Sequence, residues 1–220
     1  MAQFAVLPVK ERSLSKTRFG AVLNQEQRAT LSKCMLLDTV DSMISSHVFR
    51  GITLLTPEPD EWKGEVTPAV RVVGTTIAGL NQSIWKYIQT QGLAEGDSLS
   101  VILPDLPASG KEDFLELEKA LEVEGSTVIA PDRHLTGTNV LGGRHPLTWR
   151  PMFGADSFRR HLTSLLDKGV QPRILYRDGL MRDVDDVDDL VELQSREQLG
   201  RRTKEFMMSD ASPIDAARLK

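Results

Sequence analysis

The sequence predicts an α/β protein, a single three-layer domain with helices on both faces of a mixed, mostly parallel sheet. Three observations lead there. Short apolar, β-branched runs alternate with segments of helical period through the first two-thirds of the chain, the order that βαβ units produce. One run, Ser98-Leu99-Ser100-Val101-Ile102-Leu103, suits a strand buried inside a parallel sheet. Finally, 40% hydrophobic and 26% charged residues fit a full globular core, and no apolar run approaches the ~20 residues that span a bilayer.

Phe4 to Val9 reads as the first strand, stopped near Pro8. The loop from Lys10 to Arg18 has neither the GxxxxGK[ST] pattern of a P-loop nor a glycine-rich dinucleotide fingerprint. It offers instead a cluster of cations directly after a strand, which a ligand with several phosphates requires. Asn24 and Gln27 form a capping box, and Leu36, Val40 and Met43 follow at helical spacing, so a long helix should reach about Ser46. Gly51 to Leu55 is a second strand, and Pro57, Pro59 and Gly64 mark an irregular connection to a third, Val70 to Val73. Gly74 to Asn81 then opens a helix running to about Thr90. Glycines there let a ligand approach the backbone, and a helix N-terminus favours anions.

The Ser98 strand ends at Pro104, because proline cannot donate to a sheet ladder and restricts the residue before it. Ser109 with Glu112 has the spacing of a second capping box, predicting a helix from Lys111 to Glu122. Ser126 to Ala130 is another strand, and Leu135 to Leu141 a hydroxyl-rich turn running into one more. A helix from about Phe158 to Lys168 follows Gly154, Asp156 and Ser157, which stand where free N–H groups would meet an anion; simple capping is the plainer reading. Arg173 to Tyr176 is a late strand, and a helix begins near Val187. From about Ser195 the chain turns polar and basic, a surface helix fraying into a mobile tail. The domain is therefore set at residues 1–194 and the extension at 195–220.

Asp105 stands just past the carboxyl end of the central strand, where open α/β sheets bind ligands. A carboxylate there either holds a divalent metal on phosphates or caps the next turn, and the stretch alone leaves both open. The net charge of −4 argues against a general nucleic-acid binder. Charge is unevenly placed, with Lys10, Arg12, Lys16 and Arg18 in one loop and Asp183, Asp185, Asp186, Asp188 and Asp189 in another. Brought together, they would form an anion-plus-metal site. The single cysteine, Cys34, excludes an intrachain disulfide and a cysteine-based zinc site, and reads as a small core residue. His47, His134 and His145 lack ligand-like spacing, and His161 reads as a packing or solvent-facing histidine. The first residues show no charged-then-apolar leader, so a cytoplasmic protein is expected.

Seven stretches stand out in order: Leu7-Pro8-Val9-Lys10 with Ser15-Lys16-Thr17-Arg18; Met35-Leu36-Leu37-Asp38-Thr39-Val40; Gly79-Leu80-Asn81; Leu103-Pro104-Asp105-Leu106-Pro107; Thr136-Gly137-Thr138-Asn139; Phe153-Gly154 with Ser157-Phe158-Arg159-Arg160-His161; and Asp183-Val184-Asp185. Taken together, they resemble the guanylyltransferases of deazaflavin coenzyme biosynthesis. That family activates 2-phospho-L-lactate, phosphoenolpyruvate or 3-phosphoglycerate with GTP, on the nucleotidyltransferase fold shared with molybdenum-cofactor guanylyltransferase. The usual Thr-Pro-Glu-Asp-Leu after the aspartate pair is replaced by Asp186-Val187-Asp188-Asp189-Leu190, which keeps the carboxylates.

The resemblance implies that a substrate phosphate attacks the α-phosphorus of GTP and releases pyrophosphate. It assigns Lys10, Lys16 and Arg18 to the nucleotide phosphates and, with Asp105, to catalysis, and places Gly79 and Asn81 near the nucleoside. Asp105, Asp183 and Asp185 would hold Mg²⁺, and Thr138, Gly154 and Ser157 the phosphorylated acid. The implied partners are small molecules rather than nucleic acid or membrane. A homodimer and hand-off of product to the next enzyme of the pathway are compatible with that reading. Two rivals stand beside it: a molybdopterin or sugar-phosphate nucleotidyltransferase, and a catalytically inactive scaffold relative. The first typically carries a glycine-rich first loop with an Arg-Met pair, and here the loop after Val9 has neither glycine nor methionine up to Arg18.

Overall fold

Among the described residues, seven strands form one sheet, in the spatial order β3-β2-β1-β4-β6-β5-β7. The computed structural model describes residues 2–11, 16–194 and 198–209. The strands are β1 (Gln3–Pro8), β2 (Gly51–Thr56), β3 (Val70–Gly74), β4 (Ser98–Ile102), β5 (Thr127–Pro131), β6 (Thr138–Arg144) and β7 (Arg173–Ile174). β3, β2, β1 and β4 run parallel, and β5 pairs parallel with β7. β6 runs antiparallel between β4 and β5. The sheet is thus mixed and mostly parallel, as the sequence predicts.

Helices cover both faces because alternate strand residues are apolar on each side. Ala5 and Leu7 of β1 pack with Leu36, Val40 and Met43 of α1 (Gln25–Ser46) and with Phe114, Leu117 and Leu121 of α3 (Lys111–Leu121). Val6 of the same strand faces the other way, into a cluster with Ile84 and Ile88 of α2 (Leu80–Gln89) and Leu165 of α4 (Ser157–Leu166). Among the described residues, three short helices follow: α5 (Asp178–Met181), α6 (Val187–Gln194) and α7 (Arg201–Met208).

Local expectations are met at α1, where Asn24 Oδ1 accepts from Gln27 N–H and Gln27 Oε1 accepts from Asn24 N–H. The second capping box lies one residue later than Ser109 and Glu112 suggest. Gly110 is the N-cap of α3 and donates its N–H to Asp113 Oδ2 at 2.9 Å, while the Ser109 hydroxyl donates to Leu106 O. The reason is tertiary: Asp113 also binds Arg177 at 2.9 Å, which fixes its carboxylate at the start of the helix.

The polar stretch after residue 194 contains a helix that is packed, in contrast to the surface helix expected. Phe206 and Met207 of α7 are buried with Phe19, Leu31 and Met35. The N-terminus of α7 rests on Asp38 of α1, whose carboxylate accepts from Arg202 N–H at 3.1 Å and Thr203 N–H at 2.8 Å. A buried carboxylate on free helix N–H groups satisfies both partners. Residues 210–220 lie outside the described residues.

Candidate active site

β2 and β4 flank β1 on opposite sides, so the chain leaves β1 and β4 toward one crevice at their carboxyl ends. A cavity of about 630 Å³ opens there. Lys10, Lys16, Arg18 and Asp105 line it, as do Thr138, Gly154, Ser157, Asp183 and Asp185. Nine of the eleven residues that the resemblance assigns to the site therefore meet in one cavity. Arg12 lies outside the described residues.

Gly79 and Asn81 are not in its wall; Leu80 is. Asn81 turns its amide the other way, donating to Phe153 O at 3.0 Å and accepting from Phe153 N–H at 2.7 Å. A side-chain amide used on both its donor and acceptor sides by one backbone residue is a brace. Asn81 thereby fixes the Phe153-Gly154 loop, with its neighbour Leu80 lining the cavity.

Lys16 is the centre of the charged wall. It precedes a 3-10 helix, Thr17–Ala21, anchored by buried Phe19, and has left-handed backbone at φ 50° and ψ 46°. Its ammonium donates to Asp105 Oδ2 at 2.6 Å and to the Val184 carbonyl, and stands 3.6 Å from Asp185. Burial alone would lower its pKa, but the charges of Asp105, Asp185 and Asp183 prevail and raise it. Arg18 reaches Asp185 Oδ2 at 3.0 Å from the solvent side. The two oppositely charged loops are thus joined, as their juxtaposition in the sequence reading required.

Asp183 faces Asn139, whose amide donates to its Oδ1 at 3.1 Å. Burial and then the Asp105 charge push the Asp183 carboxyl up to about 7, against the Asn139 bond. The loop carrying these aspartates is held by Asp189, which accepts from Asp185 N–H at 2.7 Å and Asp186 N–H at 3.1 Å. Asp189 in turn donates its N–H to Asp186 Oδ1. This reciprocal cap starts α6 without a proline.

The rest of the lining is rich in hydroxyl and N–H donors around Thr138, Gly154 and Ser157, with Asp132 and Asp156 beside them. Thr138 begins β6 opposite a register shift at Ala130/Pro131, and such irregularities re-aim side chains at sheet ends. Gly154 has φ 115°, a conformation that favours glycine. Ser157 is the first residue of α4, and Asp156 is its N-cap with no side-chain cap. Simple capping by Ser157 is therefore not what the helix uses.

His161 is neither solvent-facing nor merely packed. It is buried, its Nδ1 lies 3.0 Å from Thr138 Oγ1, and its Nε2 accepts from Met152 N–H at 2.8 Å. Burial, then the neighbouring Arg160, lowers its pKa to about 4. Its spacing, four residues after Ser157 on one helix face, was the available signal, but its partner on β6 is not legible locally. Asp132, which accepts from Thr136 N–H and Gly137 N–H, is likewise a site-building residue, as are Asn139 and Asp189, which the sequence placed in a motif and in the acidic cluster without a role.

Could these carboxylates take a divalent cation? Asp105 Oδ1 is buried without a hydrogen-bond partner, an arrangement that leaves an oxygen open to a hard cation. The neutral-leaning Asp183 beside it is a group that a nearby dication would draw into its ionised form. Among the described residues no three acidic, imidazole or thiol groups already converge on one point, and Lys16 supplies the positive charge between Asp105 and Asp185. Carboxylate oxygens are the donor type that a hard cation such as Mg²⁺ takes.

Comparison with known proteins places the chain among nucleotidyltransferases. It matches the family described as "Guanylyl transferase CofC like" over residues 3–214. It is 31% identical over 206 residues to phosphoenolpyruvate guanylyltransferase of Sphaerobacter thermophilus, covering 93% of this chain and 99% of that one. It is also 31% identical over 202 residues to 2-phospho-L-lactate guanylyltransferase of Archaeoglobus fulgidus, covering 92% and 87%. A nucleotidyl transferase from Methanothermobacter thermautotroptrophicus shares the fold, with a TM-score of 0.61 at 16% identity over 87% of this chain and 95% of that one. No helix among the described residues is long and apolar enough to cross a membrane.

Proposed function

We infer the reaction from one premise: this chain belongs to the CofC-like guanylyl transferase family and is a nucleotidyltransferase. It joins GMP, taken from GTP, to the phosphate of a small phosphorylated acid and releases pyrophosphate. The acid is of the class of 2-phospho-L-lactate, phosphoenolpyruvate and 3-phosphoglycerate, and the product serves deazaflavin coenzyme synthesis. The observation that carries this reading is the division of one cavity into a charged wall around Lys16 and Asp105 and a donor wall around Thr138, Gly154 and Ser157.

Two anions must meet for this chemistry. A phosphate monoester with a second pKa near ~6 is already largely dianionic at neutral pH, so no general base is required. The barrier is repulsion, and the protein's contribution is in-line positioning plus charge neutralisation. Lys10, Lys16 and Arg18 hold the β- and γ-phosphates and stabilise the pyrophosphate as it leaves. Asp105, Asp183 and Asp185 would hold Mg²⁺, which when bound neutralises charge on the α-phosphate and its attacker. The phosphorylated acid lies against Thr138, Ser157 and the backbone at Gly154, where hydroxyls and N–H groups suit its oxygens. Leu80 and Trp62 give the cavity apolar surface for the nucleoside, with Asn81 acting behind it through Phe153.

Asp105→Asn tests the charged wall. The amide keeps the size of the carboxylate but removes the charge that binds Lys16 and the metal. Pyrophosphate release from GTP, Mg²⁺ and phosphoenolpyruvate should collapse while circular dichroism stays native. Turnover near that of the unmodified protein would reduce Asp105 to a turn residue.

A further inference from the structure

We propose that His161 is a positioning residue that turns the Thr138 hydroxyl into a hydrogen-bond donor aimed at the anion in the cavity. The inference rests on the acid-site reading above and extends it to a residue that touches no substrate.

The direction of the bonds follows from what each atom can do. A backbone N–H only donates, so the 2.8 Å contact from Met152 N–H requires a lone pair on His161 Nε2. In a neutral ring the proton then sits on Nδ1, and the 3.0 Å contact to Thr138 Oγ1 runs from imidazole to hydroxyl. Thr138 accepts, which leaves its own proton free to donate. Among the described residues no acceptor takes that proton, and Thr138 lines the cavity. Phosphate and carboxylate oxygens are acceptors, so the chain from Met152 through His161 to Thr138 ends in the polarity an anion needs.

The opposite tautomer would invert every step. A proton on Nε2 would face Met152 N–H donor to donor. Thr138 would have to donate back to Nδ1, and its oxygen lone pairs would then face the anion. One ring proton therefore decides whether Thr138 attracts or repels the ligand. Burial keeps the ring neutral, with 1% of His161 exposed and its pKa lowered to about 4, and the Phe153 ring packs edge-on against it at 5.2 Å. The Nε2 bond also fixes Met152, directly before the Phe153 backbone that Asn81 braces. The imidazole thus holds both sides of the donor wall.

Two measurements on the full chain test this. A two-bond ¹H–¹⁵N spectrum of the unmodified protein near neutral pH should show His161 as the Nδ1–H tautomer; the Nε2–H tautomer overturns the proposal without any variant. The second uses steady-state kinetics with GTP and phosphoenolpyruvate. His161→Asn places an amide where Nδ1 stands and keeps a donor toward Thr138, whereas His161→Gln reaches the Nε2 position and loses it. His161→Gln and Thr138→Val should each raise the KM for phosphoenolpyruvate about tenfold with the KM for GTP unmoved, and His161→Asn should restore most of it. If Thr138→Val leaves the acid KM unchanged, the acid-site reading fails. If Thr138→Val raises it but the two His161 variants behave alike, the acid site stands and the positioning role is wrong.

Discussion

Replacing Lys16 by alanine removes the ammonium that lies 2.6 Å from Asp105 and 3.6 Å from Asp185. Breaking a fully buried ion pair from one side costs about 3–5 kcal/mol, because a charge is left uncompensated. Three features reduce that here. The Asp105 side chain is 19% exposed, Arg18 stays on Asp185, and Asp183, raised to about 7, relieves the crowding by taking a proton. A cost of about 2 kcal/mol remains, and for a chain of this length each kcal/mol shifts the melting temperature by roughly 2–4 °C. The variant should therefore melt about 4–8 °C lower in metal-free buffer. Added Mg²⁺ should raise its melting temperature more than that of the unmodified protein, since Asp105 then lacks its ammonium partner. In a pyrophosphate-release assay, turnover should fall about 10²–10³-fold, the usual effect of removing one group that stabilises developing charge. Unchanged GTP affinity and turnover would refute the reasoning and make the loop a solvated surface.

Ser157→Ala should raise the KM for the phosphorylated acid roughly ten- to a hundredfold and leave that for GTP alone, because a hydroxyl bonded to a charged group contributes about 1.5–3 kcal/mol. Since Asp156 rather than Ser157 is the N-cap, melting should hardly change; a lower melting temperature with unaltered kinetics would remove Ser157 from the acid site. A pH dependence follows from His161, whose pKa falls from the usual 6.5 to about 4 in the folded protein. Its contribution is fully present above pH 6.5 and is lost as pH falls toward 4, because the unfolded chain takes the proton first. The loss totals about 3 kcal/mol, at about 1.4 kcal/mol per pH unit. Asp183 titrates with the opposite sign, so the quantity to measure is the difference in urea stability between the unmodified protein and His161→Phe across pH 4–7. A pH-independent difference would contradict the buried neutral imidazole.

What the sequence made legible was local or compositional. The Asn24–Gln27 box, the apolar faces of α1 and the strand stopped by Pro104 depend on neighbours within a few residues, and the structure contains all three. The positions of Lys16, Asp105 and Asp185 in one cavity were also anticipated, from charge clusters and motif order. Side-chain partners were not. Asn81 finds Phe153 across 72 residues and His161 finds Thr138 across 23, and no spacing rule connects a helix residue to a strand on another element. Asp113 shows the same limit close at hand, because Arg177 fixes its carboxylate and moves the helix cap by one residue. The polar composition after residue 194 concealed α7 for a similar reason: its few apolar residues, Phe206 and Met207, suffice once Asp38 holds the helix start.

The central claim is a covalent one, that GMP becomes linked to the phosphate of a small acid. Incubation of the protein with GTP, Mg²⁺ and an equimolar mixture of 2-phospho-L-lactate, phosphoenolpyruvate and 3-phosphoglycerate, followed by mass analysis, reads it directly. The expected product has a mass equal to GTP plus one of the acids minus pyrophosphate, forms in step with pyrophosphate release and is lost in Asp105→Asn. Intact acids with no such adduct would contradict it.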